Sequence, residues 1–133
     1  MTRDEISAAV TEALVGALGV GEDEVSPGAT LLGDLGAESI DLLDILFRLE
    51  RKVGVKIQAA DLAAHVQGGI SDEEFGDASG KITPKGMAQL KKVMPQIDTA
   101  ALQGKLEAEK VMSLFTVDNL VDMVGQRAAA KSA

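Results

Sequence analysis

Gly33-Asp34-Leu35-Gly36-Ala37-Glu38-Ser39-Ile40-Asp41 decides how this chain is read. A loop ends there and an amphipathic run begins. Ile40, Leu42, Leu43, Ile45, Leu46, Phe47, Leu49 and Val53 follow the serine. At about 100° per residue they fill one continuous side of a helix. Asp41, Asp44, Arg48, Arg51 and Lys52 fill the other. The spacing predicts a helix over 39–53 with Ser39 at or next to its N-cap. An isolated serine at such a position ordinarily accepts a backbone N–H and starts the helix.

The neighbours of Ser39 point further. Asp34-Leu35-Gly36-Ala37-Glu38-Ser39-Ile40-Asp41 resembles the modification site of acyl carrier proteins, where the loop reads Asp-Leu-Gly-x-Asp-Ser-Leu-Asp. Asp34, Leu35, Gly36, Ser39 and Asp41 match, and Glu38 and Ile40 are conservative departures. The resemblance implies a covalent 4′-phosphopantetheine on Ser39, with Glu38 and Asp41 flanking it. It also implies that the apolar residue after the serine and one two turns later, Ile40 and Phe47, touch partner enzymes. With the nearby acids Asp44 and Glu50 they form the expected partner-binding set.

Composition narrows the alternatives. The chain has 133 residues, enough for one domain with a modest core. Hydrophobic residues make up 46% and aromatic residues 2%, with no Trp or Tyr, so the core is aliphatic and suited to helix-on-helix contact. Base-stacking nucleic-acid binders need aromatic rings, and a net charge of −8 opposes phosphate backbones and anionic membranes. There is no Cys and one His, so disulfides, thiolate metal sites and cysteine nucleophiles are excluded. Met1-Thr2-Arg3-Asp4-Glu5 lacks an apolar signal core, and no stretch reaches the length of a membrane span. A cytoplasmic monomer without metal is the expectation.

Along the chain, Thr2 and Glu5 have capping-box spacing, and Ile6, Val10, Ala13, Leu14 and Ala17 predict a first helix ending near Leu18 at Gly19. A long loop over about 20–38 follows, with Leu31, Leu32 and Leu35 as its pins to the core. After 39–53, Asp61 to Val66 reads as a short helix capped by Asp61, with His65 at the surface or boundary. Residues 67–110 shift in composition. They read as turns around a short acidic helix, then a helix opened by Thr83-Pro84, then a short turn capped by Asp98 or Thr99. Asp77-x-Ser79-Gly80 echoes a calcium loop, but the register puts Phe75 and Gly86 where carboxylates are required. The last helix starts at Thr116, with Val117, Leu120, Val121 and Val124 on one face, and frays from Arg127. Thr116-Val117 and the aliphatics after it resemble the final carrier-protein helix.

The expected architecture is therefore all-α. It is an acyl-carrier-like four-helix bundle with a long first loop and an extra helical insertion between the second and last long helices. One domain over 1–133 has a core of about 2–66 and 111–127 and an insertion of about 67–110. Two roles stay open for Phe75, Met87, Leu90, Met94 and Leu102: extending an apolar pocket or docking surface, or forming a loop packed only on itself.

No catalytic residues are expected, because Ser39 has no evident base and no acid–base pair stands out. The implied function is an acyl carrier holding thioesters on the Ser39 arm, its acyl chain sheltered in the bundle core. Its implied partners are a phosphopantetheinyl transferase and acyl-loading and acyl-transfer enzymes of fatty-acid or lipid biosynthesis, lipopolysaccharide included. Arg48, Arg51 and Lys52 depart from the acidic second helix usual in fatty-acid carriers, which implies dedicated partners. An aminoacyl or peptidyl carrier, or a non-carrier helical interaction module, stays open beside it.

Overall fold

The structure, a computed structural model, describes residues 2–132. Among the described residues seven α-helices follow one another: α1 (Arg3–Leu18), α2 (Ser39–Val53), α3 (Ala59–Gln67), α4 (Asp72–Phe75), α5 (Pro84–Val93), α6 (Thr99–Leu102) and α7 (Val117–Ser132). Short 3-10 turns lie at Glu22–Glu24 and Ala108–Leu114. The fold is all-α; α1, α2, α3 and α7 are the helices expected for the bundle, and α4 to α6 fall within residues 67–110, expected as an insertion.

Local chemistry sets the helix ends. Thr2 Oγ1 accepts from Glu5 N–H, and the Glu5 carboxylate accepts from Thr2 N–H. At the other end of α1, Gly19 takes φ +71°, a conformation that L side chains rarely adopt. Thr83 Oγ1 accepts from Gly86 N–H ahead of α5, and Asp98 Oδ1 accepts from Ala101 N–H ahead of α6. Thr116 and Asn119 cap α7 reciprocally, each side-chain oxygen accepting the other's backbone N–H.

Two expectations need correction. α3 begins two residues before Asp61, at Ala59 with Gln58 as its N-cap. Asp61 is the third helical residue, and its carboxylate accepts from Gln58 N–H at 2.7 Å. It serves the helix start from inside the first turn. The expected fraying from Arg127 is also overturned, since α7 runs to Ser132. Arg127 ties that helix down by donating to Lys56 O at 3.1 Å and Asp61 Oδ2 at 3.3 Å.

α1 packs against both α2 and α7, while α3 finds its main neighbour in α5 of the insertion. Met87, Leu90, Met94 and Phe75 are buried and belong to the same apolar cluster as Val10, Leu14, Ile45, Leu49, Leu120 and Val124. The insertion therefore does not pack only on itself. Its Asp77 turn is held by the Asp77 carboxylate, which accepts from Ser79 N–H, Ser79 Oγ–H and Lys81 N–H. These bonds, the Ser79 hydroxyl first, hold that carboxyl below the usual carboxylate range.

The long first loop is ordered by its backbone. Leu31 N–H donates to Phe115 O, Val117 N–H to Ala29 O, and Asp118 N–H to Pro27 O, at 2.9–3.1 Å. Leu31 and Leu35 are buried, and Leu32 packs on the core from a half-buried position. The loop is thus fastened to the start of α7 before it delivers the chain to α2.

Candidate functional site at the start of α2

The quoted motif folds as a hydrogen-bonded turn leading into α2. Thr30 N–H donates to Asp34 Oδ2 and Asp34 N–H donates to Thr30 Oγ1, both at 2.9 Å. Leu35 N–H then reaches Thr30 O, and Ala37 N–H reaches Leu31 O. Gly36 takes φ +71°, so the turn itself calls for glycine. Ala37 is buried, which requires a small side chain under the loop. Thr30 was not singled out in the sequence. Its signal is the threonine four residues before the motif aspartate, a spacing that permits the reciprocal pair.

Glu38 is the N-cap of α2, in extended conformation, so Ser39 is the first helical residue. Asp41 Oδ2 accepts from Glu38 N–H at 2.9 Å and closes the helix start. The first intrahelical backbone bond runs from Leu42 N–H to Glu38 O. The backbone N–H groups before it face the end of the helix, where the dipole favours negative charge. Glu38 itself is exposed.

Around the helix, Ile45, Leu46 and Leu49 are buried, with Leu42 and Val53 packed against the core. Ile40 is 71% exposed and Phe47 57%. Leu43 is also 57% exposed. It lies one turn from both Ser39 and Phe47, which was its signal in the sequence. Asp44 is held by Arg48 at 3.1 Å, and Lys52 reaches across to Glu12 at 2.6 Å. Glu50 is half-buried, and the Arg51 guanidinium stands 5.8 Å from the centroid of the Phe47 ring.

Beside this face lies an apolar cleft of about 570 Å³. Leu42 and Leu43 of α2, Leu62 and Val66 of α3, Phe75 of α4 and Val111 line it, with Gln67 and Asp72 at polar positions. Phe75, Gly76 and Ala108 come from residues 67–110; of the residues named for an extended pocket only Phe75 lines this cleft, while Met87, Leu90 and Met94 are buried in the core. A second cavity, of about 430 Å³, lies between α1, α3, α5 and α7. His65 is on its wall, with Nε2 buried and without a hydrogen-bond partner among the described residues. Burial holds this imidazole below its ordinary pKa, partly offset by Asp122.

Comparison with known proteins matches the same part of the chain. Residues 8–67 fit the family model described as "Phosphopantetheine attachment site". The acyl carrier protein of Thermotoga maritima is 43% identical over 61 residues, 46% of this chain and 75% of that protein. Those of Petrotoga mobilis and Chloroherpeton thalassium are 40% and 32% identical, over 73% and 91% of their own lengths. The chain belongs to the acyl carrier protein family.

Acyl carrier proteins are carriers rather than catalysts, and their prosthetic group is covalently attached 4′-phosphopantetheine. They work with a phosphopantetheinyl transferase and with acyl-handling enzymes. The residues of this acyl carrier suit that group: a serine opens a helix, a glycine turn precedes it, and an apolar cleft begins one turn away. No helix among the described residues is long and apolar enough to cross a membrane, and none of their His, Asp and Glu side chains cluster as a metal site.

Proposed function

We propose that Ser39 carries the 4′-phosphopantetheine and that this chain presents acyl thioesters to dedicated acyl-transfer enzymes of fatty-acid or lipid biosynthesis, lipopolysaccharide included. The phosphodiester anion would sit at the N-terminus of α2, flanked by Glu38 and Asp41, where backbone N–H groups and the dipole favour negative charge. The observation that carries this reading is the apolar cleft lined by Leu42 and Leu43, which begins one turn beyond Ser39. An acyl chain entering it gains about 0.8 kcal/mol for each methylene removed from water. Its largely aliphatic lining, with Phe75, suits acyl rather than aminoacyl cargo.

Ile40, Phe47, Asp44 and Glu50 serve partner enzymes in this reading, with Leu43 added because it stands out of the core. The protein works as a cytoplasmic monomer, without metal and without catalysis of its own. Residues 1–133 act as one domain, because the insertion shares its apolar cluster with the carrier core.

Intact mass after incubation with coenzyme A and a broad-specificity phosphopantetheinyl transferase tests the attachment. Wild type gains one phosphopantetheine and Ser39→Ala gains none. A wild-type chain that stays bare there, and bare when purified from its own source, overturns the reading.

A further inference from the structure

The surface beyond Ser39 has an unusual charge order. On the exposed side of α2, Ile40, Leu43 and Phe47 form an apolar patch running away from the serine. The motif end is acidic, with Asp34, Glu38 and Asp41. The far end is different. Asp44 is engaged by Arg48, and on the side of α2 toward α1 Lys52 is engaged by Glu12. Arg51 has no carboxylate partner among the described residues; it lies against Phe47, one turn further along. Glu50 stands on the opposite flank of Phe47 by helical position.

We propose that this patch docks partner enzymes whose apolar socket for Phe47 is bordered by a carboxylate that pairs with Arg51. Enzymes with a lysine or arginine at that place are disfavoured by like charge. The inference rests on the carrier reading of Ser39 and names the chemistry of the partner that reading requires. Three features support it, together with one general rule. Phe47 is more than half exposed although large and apolar, which marks a contact surface. The guanidinium over its ring holds a positive charge beside the apolar anchor. Asp44, on the Arg48 side of the patch, is already engaged within the chain, so Arg51 is the charge left beside the Phe47 ring on that side. Like charges brought together in an interface suppress the wrong partner, while rim charges otherwise act chiefly on association rate.

A charge-swap experiment tests it. The probe is a ketosynthase with a lysine- and arginine-lined carrier entrance, assayed for kcat/KM with the same acyl group on wild type, Arg51→Glu and Arg51→Gln. Arg51→Glu is expected to be used about fivefold better than wild type at low salt, with the gain fading at high salt. Arg51→Gln falls between them, because it removes the like charge without supplying an attractive one. When the entrance lysine facing α2 is replaced by Glu, the preference inverts and wild type becomes the better substrate. Equal use of all three carriers by both enzymes, or a loss with Arg51→Glu on the basic enzyme, overturns the inference. Each carrier is first loaded and weighed. A wild type that takes no phosphopantetheine contradicts the Ser39 reading, whereas a loaded wild type with no charge preference contradicts only the role of Arg51.

Discussion

Gln96 and Asn119 bond each other with both ends of their side-chain amides: Gln96 Nε2–H donates to Asn119 Oδ1 at 2.8 Å, and Asn119 Nδ2–H donates to Gln96 Oε1 at 3.2 Å. One residue belongs to the insertion and the other to the first turn of α7. Asn119 is 2% exposed, and it also donates to Val93 O and accepts from Thr116 N–H. A single buried amide thus starts the last carrier helix and holds the insertion against it.

Asn119→Leu leaves Thr116 N–H and Val93 O without these bonds, and unpaired buried groups cost about 1–3 kcal/mol. The urea midpoint of unfolding should fall accordingly. Phosphopantetheine transfer to the folded variant should persist, because the start of α2 is untouched.

Gly86 and Gly125 both lie inside helices and should answer to alanine with opposite signs. A Cβ at Gly86 would stand 2.4 Å from Phe75 O and 2.9 Å from Ile82 Cγ2, so α5 would have to shift off α4. Overpacking of that kind costs about 1–3 kcal/mol. At Gly125 the nearest atom, Ile6 Cδ1, is 3.7 Å away, and alanine should stabilise α7 by about 0.5–1 kcal/mol. Thermal unfolding of the two variants measures both signs.

Phe75 closes one side of the apolar cleft from the insertion. Phe75→Ala should lower the stability of the unacylated protein by about 3–5 kcal/mol, the range for a buried aromatic. It should also move the acyl length giving the largest rise in Tm toward longer chains. Acyl forms of stepped length, prepared on wild type and variant, show the shift; an unchanged optimum would leave Phe75 a structural residue only.

His65 makes stability depend on pH. Burial lowers its pKa in the folded chain, so the unfolded chain takes up a proton first as pH falls. Its contribution is intact above the ordinary imidazole value of about 6.5 and is lost as pH falls below it. Asp122 opposes the effect and Lys92 and Arg3 share the cavity wall, so the test is the difference between proteins. Between pH 7.5 and 5.5 the urea midpoint of wild type should fall more than that of His65→Gln.

Most of the helical frame was legible in the sequence. Thr2, Gly19, Thr83 and Asp98 act locally, within one turn of the ends they define, so their spacing carries the information. The apolar stripe of α2 likewise names its buried side, because helical periodicity is a local property. Asp61 misled because a carboxylate at the third helical position serves the helix start as well as one at the cap. The extent of α7 past Arg127 was hidden because Arg127 is fastened by Lys56 and Asp61, far away in the chain.

By itself the sequence determined an aliphatic helical protein with a loop-to-helix motif built around Ser39, since composition, periodicity and capping depend only on near neighbours. Tertiary structure decided that residues 67–110 join the core and one wall of the cleft, that Leu43 lines the cleft but stands outside the core, and that Arg51 lies against Phe47 while Asp44 and Glu12 are engaged. Those facts depend on which surfaces meet, and residues 67–110 reach α3 and α7 only when the whole chain closes around one apolar interior.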